Sequence, residues 1–204
     1  METKKLVRTI ALDGLFIAIL VIMTFVPYVG FIPFFFGVSI TIIHIPVIIG
    51  ALFLGWKKGL LYGLAFGLAS LIKAATAPAG VLDPCFVNPL ISVLPRILFG
   101  LAAGLLMVGV AKLKTSQVAK IFLISGASVI ATVIHTVSVF FALGLIHQEF
   151  LTWEIALLFG TNLLIEMTVA ALLTPLLYKS LEKPFANYLR KNTDADKIEN
   201  VDYE

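Results

Sequence analysis

The sequence predicts an all-α integral membrane protein: a bundle of six transmembrane helices with both termini in the cytoplasm. Three observations carry that expectation. First, 60% of the 204 residues are hydrophobic and only 13% charged, against roughly 25% charged in a soluble domain, and the mean hydropathy is +1.04. Second, the apolar residues fall into six runs, each near the ~20 residues that a spanning helix requires. Third, if the chain crosses six times, 13 of its 15 Lys and Arg lie on one side, and the positive-inside rule makes that side cytoplasmic.

The first run, 9–28, follows a basic start at Lys4, Lys5 and Arg8. It begins like a secretory signal, but no A-x-A site follows and its length suits a retained helix. The second run, 38–55, contains Pro46, which removes a backbone donor and predicts a kink or break. The third, 59–76, carries Gly59, Gly63 and Gly67 in register with Gly55, a spacing that lets another backbone come close, within the bundle or in another subunit. The fourth, 89–111, opens on Asn88-Pro89, the pattern of a helix N-cap followed by proline at the first helical position. The fifth and sixth cover 121–146 and 155–178. Residues 1–185 thus form a transmembrane domain, and 186–204 are expected to be a flexible polar cytoplasmic tail. The opposite connections, 29–37, 77–88 and 147–154, hold no Lys or Arg and are expected outside.

Composition also excludes several function classes. The pI near 9.0 comes from short basic clusters between apolar runs, as topology requires, so nucleic-acid binding is set aside. Cys85 is the single cysteine, which rules out an intrachain disulfide and a CxxC metal site and suits a small buried thiol. No phosphate-cradling G-x-x-x-x-G-K-[ST], H-E-x-x-H or G-x-S-x-G is found, so the chain is not expected to be an enzyme and no cofactor or metal is expected.

Polar residues inside spans are costly and mark function or pairing. Counted along the six-span topology at ~1.5 Å per residue, His44, Lys73, Arg96, His135, Asn162 and Glu166 all fall in the outer half of the membrane. Asp13, near the cytoplasmic end of the first span, is the exception. Asn88, Ser92 and Arg96 share one helical stripe, as do Asn162 with Glu166, and Ser128, Thr132, His135 and Thr136 share another face. Three stripes at one depth predict a cavity open to the outside. Plainer readings stand beside this one: Asn88 as a cap, Arg96 paired with Glu166, Lys73 snorkelling to the surface, the two histidines as satisfied core groups, and Asn162 as an interhelical hydrogen bond. The aromatic first connection, with Tyr28 and Phe34 among its rings, suits either an interfacial belt or a lid, and residues 77–84 would form the facing wall. Ala11, Gly14 and Ala18 place a small-residue face on the first helix, for internal packing or for docking to another subunit.

Ile45-Pro46-Val47-Ile48-Ile49-Gly50-Ala51-Leu52-Phe53-Leu54-Gly55, leading into Gly59-Leu60-Leu61-Tyr62-Gly63-Leu64-Ala65-Phe66-Gly67, together with the small-residue spacing of the first helix, resembles the substrate-binding S component of energy-coupling factor (ECF) vitamin transporters. The resemblance covers about residues 5–185. Within that family, Asn88-Pro89-Leu90-Ile91-Ser92-Val93-Leu94-Pro95-Arg96 looks most like the pantothenate-specific group. The resemblance implies a six-helix subunit that captures a vitamin from outside, in a pocket roofed by the connections after helices 1, 3 and 5. It implies partners as well: a transmembrane coupling subunit (EcfT-like) and two ATPase subunits. Docking to the coupling subunit falls on the first helix, where Gly14 stands in place of the first alanine of the usual Ala-x-x-x-Ala, with Ala18 as the second. Pantothenate is a small carboxylate with hydroxyl and amide groups, so Arg96 would pair with the carboxylate while Asn88, Asn162 and His135 supply hydrogen bonds. Ser92, Glu166, Lys73, Tyr28 and Phe34 complete the expected substrate site. Other S-component substrates (pyridoxine, hydroxymethylpyrimidine) and an autonomous carrier driven by protons on Glu166 or Asp13 are the alternatives.

Overall fold

The computed structural model describes residues 2–33, 39–78, 80 and 82–201. Its elements in chain order are α1 (Glu2–Phe25), β1 (Phe31–Pro33), β2 (Ser39–Thr41), α2 (His44–Leu54), α3 (Trp56–Thr76), α4 (Pro89–Ser92), α5 (Leu94–Lys112), α6 (Gln117–Ile146) and α7 (Trp153–Val201). Short 3-10 turns occupy Asp83–Val87 and Gln148–Phe150. Among the described residues five helical stretches are long and apolar enough to cross a membrane: Leu6–Phe25, Trp56–Thr76, Pro89–Lys112, Gln117–Ile146 and Trp153–Tyr188.

The second expected span is the one that departs from the sequence reading. Instead of a helix over 38–55, Ser39–Thr41 pair antiparallel with Phe31–Pro33, and helix α2 begins only at His44. Four successive β-branched residues, Ile40 to Ile43, are stiff at χ1 and favour extended backbone. Pro46 then falls in the first turn of α2, where its missing N–H had no intrahelical partner to lose. Eleven residues at ~1.5 Å each give about 16 Å, roughly half the apolar thickness of a bilayer. Helix α2 is instead a central core element: Ile45, Val47, Ile48 and Ala51 are buried. Gly55 (φ 89°) turns the chain directly into α3.

Helices α3 and α5 make the most extensive helix pair. An added Cβ on Gly63 would meet the carbonyl oxygen of Arg96, one on Gly59 would meet Gly100, and one on Gly67 would meet Val93. The glycine stripe therefore packs within the bundle, backbone against backbone. Phe16 and Leu20 of α1, Tyr62 and Phe66 of α3, Phe99 and Met107 of α5, Ile124 of α6 and Tyr178 of α7 join α2 in one core. At the end remote from the α3 C-terminus, Asp13 of α1 takes Lys58 Nζ and the Tyr62 hydroxyl (2.7 Å).

Prolines punctuate two helices, and at Pro95 and Pro175 the carbonyl left without its helical donor is taken by a side chain. The fourth expected span is interrupted at Val93, separating α4 from α5. Pro95 has no N–H for Ile91 four residues earlier, and Arg96 Nη1 donates to the Ile91 carbonyl at 2.7 Å. In α7, Pro175 likewise leaves Ala171 without its donor, and Ser125 Oγ of α6 supplies one at 2.9 Å. Helix α7 continues through the polar segment beyond residue 185, as far as Val201.

Candidate ligand-binding cleft

The C-terminal ends of α3 and α6 and the N-terminal ends of α5 and α7 meet at one end of the bundle. There the hairpin and the turn at 82–86 complete a cleft with about 810 Å³ of empty space, open solvent at its mouth included. Helix α3 contributes Ser70, Lys73 and Ala74; α5 contributes Arg96; α6 contributes His135, Thr136 and Val139; and α7 contributes Phe159, Asn162 and Glu166. Phe31, Ser39 and Thr41 of the hairpin and Leu82, Asp83 and Phe86 of the turn close the other sides.

Arg96 is 4% exposed, and its guanidinium is fixed from three directions. Phe66 and Phe86 hold it between their rings, 5.5 and 5.0 Å from the centroids, and the Ile91 carbonyl takes Nη1. Its Nε has no hydrogen-bond partner. His135, also buried, has no partner at either ring nitrogen and packs edge-on to Phe99 with centroids 5.2 Å apart. Asn162 Oδ1 and Ser70 Oγ are likewise unpartnered. Buried polar groups are ordinarily satisfied, so four such groups around one cleft point to a ligand or water that completes them.

Glu166 does not pair with Arg96. Its carboxylate accepts from the Thr41 backbone N–H at 2.7 Å and from Thr136 Oγ1 at 3.3 Å. Lys73 Nζ lies 3.9 Å from the Phe31 ring centroid, at the cleft wall.

Of the residues expected to bind substrate, Lys73, Arg96, His135, Asn162 and Glu166 are brought together here. Asn88 is the N-cap of α4, its side chain accepting from Leu90 N at 3.0 Å, and does not line the cleft. Ser92 is buried beside it, donating to the Gly67 carbonyl at 3.2 Å. Ser128 and Thr132 bond back to carbonyls of their own helix. Tyr28 is 72% exposed in a left-handed turn (φ 64°), and Phe34 lies outside the described residues. The histidine His44 is buried in the core behind His135, ring to ring at 6.4 Å. Thr41, Ser70, Phe86 and Phe159 were not singled out from sequence; only their placement at the right ends of elements would have flagged them. Ala11, Gly14 and Ala18 are exposed on α1, and a Cβ at Gly14 would meet nothing within 4 Å.

Residues 8–179 match the family described as "ECF transporter, substrate-specific component". The chain belongs to this family. The S component is similar to the pantothenic acid transporter PanT of Lactococcus lactis subsp. cremoris (strain MG1363), at 31% identity over 190 residues covering 88% of this chain and 96% of the relative. It is also similar to the pantothenate transporter PanT of Leuconostoc mesenteroides subsp. mesenteroides, at 36% identity over 107 residues, 51% of this chain and 50% of the relative. It is a transporter subunit and a multi-pass protein of the bacterial plasma membrane.

Proposed function

We propose that this S component binds pantothenate in the cleft around Arg96, taking it from the outer side of the membrane and passing it inward in an ATP-driven complex. The observation that carries the reading is the fixed, buried guanidinium with an unpartnered Nε at the wall of a cleft. A buried cation without a contact anion is costly unless its ligand is one, and a carboxylate matches guanidinium geometry. His135, Ser70 and Asn162 Oδ1 offer the hydrogen bonds that hydroxyls and an amide need. The substrate named for both relatives supports the same assignment.

The topology follows from the charge pattern: termini inside and the cleft end outside, with the short α2 and the hairpin together completing the second crossing. Ala11, Gly14 and Ala18, exposed on α1, are the face for a coupling subunit, and two ATPase subunits supply the energy that no motif in this chain provides.

The test is a thermal-shift screen of the purified chain against water-soluble vitamins. At 100 times its dissociation constant a ligand stabilises by about 2.7 kcal/mol. Pantothenate is expected to raise the melting temperature; a shift with pyridoxine or hydroxymethylpyrimidine and none with pantothenate would overturn the assignment.

A further inference from the structure

The hairpin and α7 meet in a way that neither the cleft's volume nor the proposed substrate explains. Ile42 N donates to the Gly30 carbonyl at 2.9 Å, and the register pairs Phe31 with Thr41 and Pro33 with Ser39. In an antiparallel ladder hydrogen-bonded and non-bonded pairs alternate, so residues 39 and 41 turn their N–H and C=O groups away from β1. That leaves a free strand edge, ordinarily a row of unpaired backbone groups. Two side chains of α7 occupy it: Glu166 Oε1 accepts from Thr41 N at 2.7 Å, and Asn162 Nδ2 donates to the Ser39 carbonyl at 3.4 Å. The spacings match, because two residues of strand advance ~6.6 Å and four residues of helix ~6 Å. Glu166 also takes Thr136 Oγ1 of α6, which ties the strand to two helices through one carboxylate. Asn162 and Glu166 are 5% and 4% exposed, so bulk solvent has little access to these bonds.

We infer that Asn162 and Glu166 are positioning residues: they hold the β1–β2 hairpin by its free edge as one wall of the cleft, and so set how fast a bound ligand leaves. The second half of this statement rests on the proposed function, in which the cleft is the ligand site. Substrate contact remains with Arg96, His135 and the Asn162 oxygen, while the Glu166 carboxylate is committed to the hairpin.

Two measurements test it. The first needs no ligand: hydrogen exchange of the Thr41 amide in the full-length protein. Wild type and Glu166→Gln, which keeps an acceptor oxygen, are expected to be protected, and Glu166→Ala to exchange at least about tenfold faster. Equal protection in all three overturns the anchoring, whatever the protein binds. The second compares dissociation of labelled pantothenate from Thr41→Pro and Thr41→Ala. Proline removes the donor together with the threonine side chain and is tolerated on an edge whose N–H faces away from its partner strand; alanine removes the same side chain and keeps the donor. Thr41→Pro is expected to release ligand about tenfold faster than Thr41→Ala with little change in association, since affinity differences within one site fall mainly on the off-rate. Equal off-rates overturn the kinetic role. If wild type fails to bind pantothenate, the substrate reading falls while exchange at Thr41 still decides the anchoring.

Discussion

Replacing Gly63 with alanine tests how the fold delivers Arg96 to the cleft. The added Cβ would overlap the Arg96 carbonyl oxygen and lie 3.1 Å from Gly100 Cα and 3.2 Å from Arg96 C. All three obstacles are backbone, so no side chain can swing aside and α5 must move away from α3 by roughly 1 Å to restore ordinary contact distances. Overpacking of this kind costs ~1–3 kcal/mol, and rigid backbone places this site toward the upper end. Alanine returns up to ~1 kcal/mol through helix propensity, leaving a net loss of about 2 kcal/mol. For a chain of this length that lowers the melting temperature by about 4–8 °C. Gly109→Ala is the control, because a Cβ there meets nothing within 4 Å; it is expected to leave the melting temperature level or raise it. Ligand affinity should fall at least about tenfold in Gly63→Ala, or ~1.4 kcal/mol, because α5 carries Arg96 with it. Melting curves of the two variants in one detergent decide the matter. A Gly63→Ala protein that melts at or above Gly109→Ala would refute the close-packing argument.

Pro95→Ala restores the N–H that Ile91 lacks, so Arg96 loses its fixing acceptor; titration is expected to show affinity for an anionic ligand reduced about tenfold with the melting temperature unchanged or raised. Asn88→Ala removes the α4 cap and should cost ~1 kcal/mol of stability, while ligand affinity stays within threefold of wild type, since Asn88 is not at the cleft wall. Asp13→Asn weakens the Lys58 and Tyr62 contacts that hold α1 to α3 and is expected to lower stability by about 1–2 kcal/mol, again without an effect on affinity because those contacts lie at the other end of the bundle.

The segregation of polar residues to one end of the bundle was legible in the sequence, because charge in an apolar span has few places to go and a period of 3.6 residues fixes which groups share a face. Lys73, Arg96, His135, Asn162 and Glu166 were all found that way. Asn88 and Ser92 belong to the Arg96 stripe by spacing, but the break at Val93 that Pro95 imposes ends the continuous helix on which that spacing depends. The plainer alternative, Arg96 paired with Glu166, meets a related obstacle: each charge has a backbone partner, Ile91 O for one and Thr41 N for the other, and side-chain patterns do not reveal backbone groups left open by a proline or a strand edge. The hairpin was hidden because Ser39–Ile43 are as apolar as a membrane helix, and hydropathy weighed that run more heavily than its β-branching. The glycine stripe was legible as a close approach, but its partner helix was not.

The most direct test of the account is a pair of calorimetric titrations of the purified full-length chain, one with pantothenate and one with pantothenol, which keeps the amide and the hydroxyls of pantothenate but carries an alcohol in place of the carboxylate. If Arg96 is the anion anchor, wild type binds pantothenate far more tightly than pantothenol, and Arg96→Ala erases the difference. Equal affinity for both compounds in wild type, or a difference that survives in Arg96→Ala, would contradict it.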